Sequence, residues 1–184
     1  TKASHVEEDL CGKIDMILDG GEVDIGLEST IVDVSTDQPM ILRPGYISQA
    51  MLKKVIGPVE IDRALLLDSS KAHPKAPGMK YKHYSPNATV IVVTGSLDEM
   101  KLKINQKLSL DKNISDKVKV VCLEDRVSLY DGYGISWGKN SQEAAKNLFK
   151  ILRLMDEQNI EVVYFEALNS DEISEAVMNR LIKA

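Results

Sequence analysis

All six prolines of this 184-residue chain fall at or before Pro86, and none follows. Proline fixes φ and removes a backbone donor, so it is kept out of helix interiors and central strands. The distribution divides the chain. A first part is held to short strands, loops and short helices, and a second part is free to build long helices and a continuous sheet. The expected organisation is a first domain over 1–62, a linker strap over 63–87 and a second domain over 88–184.

Within the first part, Ser4 to Leu10 reads as a short helix with Ser4 as its N-cap. Ile14 to Leu18 is expected as a short apolar strand, followed by the turn signal Asp19-Gly20-Gly21. Ser29 to Val34 and Met40 to Arg43 read as strands, and the short Asp37-Gln38-Pro39 connection makes them a hairpin. Ser48 is expected to cap a helix running to Ile56, with Gly57 just past its end. Val59 to Ile61 is a last short strand.

After the strap the periodicity changes. Thr89 to Val93 is a continuous apolar run, as in a strand buried on both faces, and Val118 to Leu123 is a second. A helix is expected over 97–108, a weaker strand over Tyr133 to Trp137, a strand over Val162 to Phe165 and a final helix over Ser170 to Ile182. Ser141 is read as the cap of a strong amphipathic helix to Met155, with Ala144, Leu148, Leu152 and Met155 on one face and Ala145 and Phe149 beside it. This alternation predicts an α/β fold whose second domain is a small Rossmann-like three-layer unit with a mainly parallel sheet.

Charge and cysteine usage narrow the function classes. A net charge of -5 and a pI near 5.3 speak against a large nucleic-acid face. No apolar run approaches the roughly 20 residues that span a bilayer, and no signal peptide is visible, so the expected location is cytoplasmic. Cys11 and Cys122 match no metal spacing and read as two buried, reduced thiols. The opening on Thr1 in a polar, helix-like stretch reads as a piece of a longer protein.

The chemistry concentrates in three places. Residues 76–86, Ala-Pro-Gly-Met-Lys-Tyr-Lys-His-Tyr-Ser-Pro, sit within a stretch from Ser69 to Asn87 that holds four lysines and no carboxylate. Extended geometry puts Lys80, Lys82 and Tyr84 on one side and Tyr81 and His83 on the other. An ordered strap touching an anion, most simply a phosphate, is one reading; a solvated basic linker is the other. Gly26-Leu27-Glu28-Ser29-Thr30 places two hydroxyls at the mouth of a strand, where glycine lets a ligand approach the backbone. Ordinary strand and turn chemistry accounts for the same residues. Arg43, where a strand runs into Pro44-Gly45, is either a bidentate phosphate donor or a surface arginine in a solvated ion pair. His5 and His73 read as surface residues, Trp137 and Phe149 as core. Val93-Thr94-Gly95-Ser96 is not the Gly-x-Gly-x-x-Gly loop of dinucleotide binding.

Taken together, Gly-Leu-Glu-Ser-Thr-Ile-Val-Asp at 26–33, Ile-Leu-Arg-Pro-Gly at 41–45 and Pro-Gly-Met-Lys-Tyr-Lys-His-Tyr-Ser-Pro at 77–86 resemble the threonylcarbamoyl-AMP synthase family. The resemblance extends to Thr1-Lys2-Ala3-Ser4-His5-Val6 and to Asn179-Arg180-Leu181 near the end. It implies the C-terminal half of a YrdC-like catalytic domain, a strap and a Rossmann-like domain. It implies an enzyme that condenses L-threonine, bicarbonate and ATP, with Mg²⁺, into threonylcarbamoyl-AMP and pyrophosphate. The product would supply a tRNA-modifying transferase complex that makes threonylcarbamoyladenosine. By the same resemblance Ser29 contacts threonine, Arg43 and Thr30 contact ATP, and Tyr81, His83 and Tyr84 close over the nucleotide.

The family's Lys-x-Arg and Ser-x-Asn elements are not in this sequence, Ala76 stands where serine is common, Lys82 where arginine is common, and Asn169-Ser170-Asp171-Glu172 replaces a glycine-rich turn. The expected state is a chain that depends on the missing N-terminal half of the same protein and is inactive alone. The alternative is a non-catalytic nucleotide-sensing or protein-interaction module. Direct RNA binding through four lysines would leave only a small electrostatic footprint.

Overall fold

The computed structural model describes residues 1–62, 65, 85–110, 116–169 and 171–182. The first part holds helix α1 (Ala3–Leu10), strands β1 (Ile31–Asp33) and β2 (Met40–Arg43), helix α2 (Gln49–Ile56) and strand β3 (Glu60–Ile61). β1 and β2 form the antiparallel hairpin that the short connection predicts, and β3 joins β2 in parallel. Helix α2 begins as expected: the Ser48 hydroxyl accepts from the Met51 amide at 3.2 Å, and Gly57 closes it at φ 79°.

Two expectations in this part fail. Helix α1 starts at Ala3, one residue before Ser4, and its N-cap position is Lys2, which makes no side-chain cap. Ile14 to Leu18 forms no strand, and Met16 and Leu18 lie exposed. Apolar composition does not make a strand unless a neighbour takes up its backbone donors and acceptors, and no described residue pairs with this segment. The turn that follows is real: the Asp19 carboxylate accepts from the Gly21 amide at 2.8 Å.

The second part runs β4 (Thr89–Val93), α3 (Leu97–Leu110), β5 (Val118–Cys122), a 3-10 helix (Glu124–Tyr130), β6 (Gly134–Ser136), α4 (Ser141–Glu157), β7 (Val162–Glu166) and α5 (Glu172–Ile182). The sheet order is β4-β7-β5-β6, with every pair parallel. Side-chain alternation sorts the core into two layers. Val118, Val120, Cys122 and Tyr164 pack with Ile104 and Leu108 of α3. On the other face, Val121, Val163 and Phe165 meet α4 and α5. The predicted α4 face of Ala144, Leu148, Leu152 and Met155 is buried there, and Trp137 sits 5.4 Å from Phe165 between ring centroids.

β4 is an edge strand, which corrects the expectation of burial on both faces: Thr89 and Ile91 are exposed, because only β7 pairs with it. The cap of α4 also moves by one residue. Asn140 adopts the extended cap conformation and its Oδ1 accepts from the Glu143 amide at 3.0 Å. Ser141 is instead the first helical residue, and its hydroxyl donates to the Asp171 carboxylate at 2.6 Å. The 3-10 helix carries no strong apolar period and is absent from the sequence reading.

A polar cluster lies at the end of β7. Glu166 ends β7 at 1% exposure, takes a charged hydrogen bond from Arg126 at 2.8 Å and accepts from the Tyr130 hydroxyl. Pairing on both carboxylate oxygens makes such burial tolerable. Cys122 lies beside it, and burial, followed by the nearby Glu166 charge, pushes its thiol up to about 12. Cys11, expected to be buried, is exposed at the end of α1; both cysteines are free. At pH 8, iodoacetamide should therefore label Cys11 and leave Cys122 unmodified until denaturant opens the domain, because alkylation needs thiolate and access. Peptide mass mapping reads this directly.

Candidate functional site

The hairpin builds a corner. β1 opens directly after Ser29-Thr30, β2 ends on Arg43, and the pairing sets Ile31 opposite Arg43, with a register shift between Ile31 and Val32 that marks a bulge. Arg43 Nε donates to the Ser29 carbonyl at 3.0 Å and Nη2 donates to Ser29 Oγ at 3.0 Å. Two bonds from one planar guanidinium to one residue fix its orientation as well as its position. The structure thus brings together Ser29 and Arg43, which lie 14 residues apart in sequence. The Thr30 hydroxyl donates to the Ile47 carbonyl at 2.7 Å. That bond uses its single proton, so contact with a phosphate oxygen requires the hydroxyl to turn away from Ile47. Tyr81, His83 and Tyr84 lie outside the described residues, as does His73.

Glycine makes the corner possible. A Cβ on Gly45 would lie 2.3 Å from the Glu28 carbonyl oxygen and 2.6 Å from the Thr30 nitrogen, so the Pro44-Gly45 turn packs directly on the hydroxyl-bearing backbone. Gly26 is equally constrained, but by a different neighbour than expected. Its open side faces the Ala145 and Lys146 carbonyl oxygens of α4, at 2.3 and 2.5 Å from a hypothetical Cβ. A helix backbone occupies the space that the sequence reading reserves for a ligand.

Residues 26–28 are all held by α4 and α5. Leu27 is buried in its core cluster, and Glu28 pairs with Arg180 Nε of α5 at 2.8 Å. Arg180 is only 5% exposed. Sequence reading missed Glu28 and Arg180 as structural partners. The available signal was an arginine on the buried stripe of α5 that holds Ala176, Val177 and Leu181, where a charge needs a partner.

Two clefts flank the corner. A groove of about 490 Å³ runs between α1 and α4 past His5, Gly26, Glu28, Phe149 and Arg153. A second, of about 350 Å³, lies between the Pro44-Gly45 turn and α5. His5, expected at the surface, is half-buried in the first groove, and burial lowers its pKa. Phe149, expected in the core, is partly buried against it and forms a wall of the same groove. Across the groove Arg153 reaches Glu8 at 3.0 Å and also Asp9. Among the described residues no group of three or more His, Cys, Asp or Glu side chains could hold a metal ion. None of their helices is long and apolar enough to cross a membrane.

The family described as "Threonylcarbamoyl-AMP synthase, C-terminal domain" matches residues 47–184, and one described as "Telomere recombination" matches residues 1–45. The chain is 42% identical over its whole length to a threonylcarbamoyl-AMP synthase of Pyrococcus abyssi, of which it covers 53%, and 36% identical to one of Bacillus subtilis, of which it covers 52%. A crystal structure of P. abyssi Sua5 complexed with L-threonine superposes with a TM-score of 0.86 at 42% identity, over all of this chain and 53% of that one. The chain therefore spans about half the length of the curated relatives it matches. With its α/β fold and the match across its full length, it belongs to the threonylcarbamoyl-AMP synthase family.

Proposed function

We propose that this chain supplies the amino-acid-contacting and phosphate-contacting corner of a threonylcarbamoyl-AMP synthase. The complete protein would condense L-threonine, bicarbonate and ATP. The single observation that carries the reading is the pair of 3.0 Å hydrogen bonds from Arg43 to Ser29. Ser29 is assigned to threonine and Arg43 to an ATP phosphate. Joined directly, they bring the two substrates to one point, which an adenylation needs.

In the reaction, the threonine amine and bicarbonate form a carbamate with loss of water. A carbamate oxygen then attacks the α-phosphorus, the bond to the β-phosphate breaks and pyrophosphate leaves. Two anions meet in that step, so a cation fixed beside the nucleophile lowers the repulsion. Arg43 is suited to this because its two bonds to Ser29 orient its plane. Thr30 would serve ATP by releasing its bond to Ile47. Tyr81, His83 and Tyr84 are proposed to cover the nucleotide and exclude water from the labile carbamate. Mg²⁺ would enter with ATP as the counterion of its phosphates. The proposed setting is cytoplasmic, with the N-terminal half of the same protein completing the site and a tRNA-modifying transferase complex taking the product.

Pyrophosphate release from ATP by the complete protein tests the reading. The expected result is release that requires both L-threonine and bicarbonate. Release that ignores threonine would refute it.

A further inference from the structure

We infer that Arg180 is a positioning residue for the substrate corner: through Glu28, the second domain sets where Ser29 stands. The inference rests on the reading of Ser29 as a substrate contact. Three consecutive residues before Ser29 are fixed by this domain, each through different physics. Gly26 abuts the α4 carbonyl oxygens so closely that no side chain fits. Leu27 is buried in the α4 and α5 core. Glu28 pairs with Arg180 at 2.8 Å. A strand that begins at Ile31, with only Ser29 and Thr30 between it and three fixed positions, has little freedom of register.

Arg180 differs from the other ion pairs that join the two parts of the chain. Arg153 meets Glu8 and Asp9 with half or more of each carboxylate exposed, and Lys146 meets an Asp24 that is 98% exposed. Pairs of that kind contribute little. Arg180 is 5% exposed and its partner 24%. Removing Glu28 takes the carboxylate from a guanidinium that solvent hardly reaches. The pair also sits one residue from Ser29, whose carbonyl and hydroxyl both bind Arg43. A shift at Glu28 therefore reaches both members of the proposed site. The small domain acts on this account as a template for the substrate strand, with no ligand of its own needed.

The test uses the complete protein with Arg180→Gln, Arg180→Lys, Glu28→Gln and the double variant Glu28→Gln/Arg180→Gln. Two readouts are taken: the KM for threonine with kcat, and amide hydrogen exchange across residues 26–33. The expected result for Glu28→Gln and Arg180→Gln is a threonine KM raised about tenfold with kcat within about twofold, as for lost binding alignment. Exchange should accelerate over residues 26–33 while β5 and β7 stay protected. Arg180→Lys should recover part of the KM, and the double variant should be no worse than Arg180→Gln alone, since the Glu28–Arg180 interaction is already lost in that variant.

Unchanged KM and unchanged exchange in both single variants would overturn the inference. So would loss of protection spread through β5 and β7, which would make the pair a general core contact. If the unsubstituted protein shows no threonine-dependent turnover, the reading of Ser29 fails, and exchange over residues 26–33 still decides whether Arg180 holds that strand.

Discussion

Arg43→Ala in the complete protein should lower kcat/KM for ATP by about 100- to 1,000-fold, the range seen when one preorganised charge-stabilising donor is removed. The folded state should lose far less. Arg43 is half-buried at the end of a short strand, and the hydrogen bonds it gives to Ser29 are on the exposed side of the corner. Loss of about 1 kcal/mol of stability is the expected scale for those bonds. KM for threonine should rise in the same variant, because Ser29 Oγ loses the donor that orients it. Steady-state kinetics and thermal unfolding on one preparation separate the two effects. A parallel fall in stability and activity would return Arg43 to a structural role.

Gly45→Ala should be nearly as damaging for a different reason. The added methyl would sit 2.3 Å from the Glu28 carbonyl oxygen and 2.6 Å from the Thr30 nitrogen, and both obstacles are backbone. No side-chain rotation relieves that contact, so the turn must separate from residues 28–30. A cost of about 2–4 kcal/mol is expected, at the upper end for overpacking. Activity should fall further than stability accounts for, because the displaced atoms carry the two hydroxyls. Gly20→Ala is the control: nothing lies within 4 Å of its Cβ position, and its stability should stay within about 0.5 kcal/mol of the parent. Chemical denaturation of the three proteins measures the difference. Equal effects at Gly45 and Gly20 would contradict the packing described here.

Much of the architecture was legible because local signals and tertiary demands agreed. Ser48 and Gly57 bracket α2 as their chemistry predicts, and Ala144, Leu148, Leu152 and Met155 turn to the core because their spacing allows nothing else. Expectations failed where a segment's fate depends on what lies next to it in space. Ile14 to Leu18 has a strand's composition and no strand beside it. Thr89 to Val93 has the apolar run of a central strand and stands at the edge, because β7 is inserted between β4 and β5. Sheet order is a tertiary fact that periodicity does not carry.

The same division holds at the candidate site. Ser29 and Arg43 could be singled out from local pattern and resemblance, and the hairpin brings them into contact. Glu28 and Arg180 could not be paired in advance: 152 positions separate them, and the motifs they stand in assign neither a partner. Gly26 offers backbone freedom that the sequence shows, but the neighbour that requires it, α4, is invisible in local pattern. Only the buried stripe of α5 hinted that Arg180 had to find an acid.

The most direct measurement supplies the complete protein with ATP, L-threonine and ¹³C-labelled bicarbonate and identifies the nucleotide product by mass spectrometry. The account predicts an AMP conjugate that contains threonine and the labelled carbon, formed together with pyrophosphate and sharply reduced in Arg43→Ala. ATP turnover that yields only unlabelled nucleotide, with or without threonine, would contradict it.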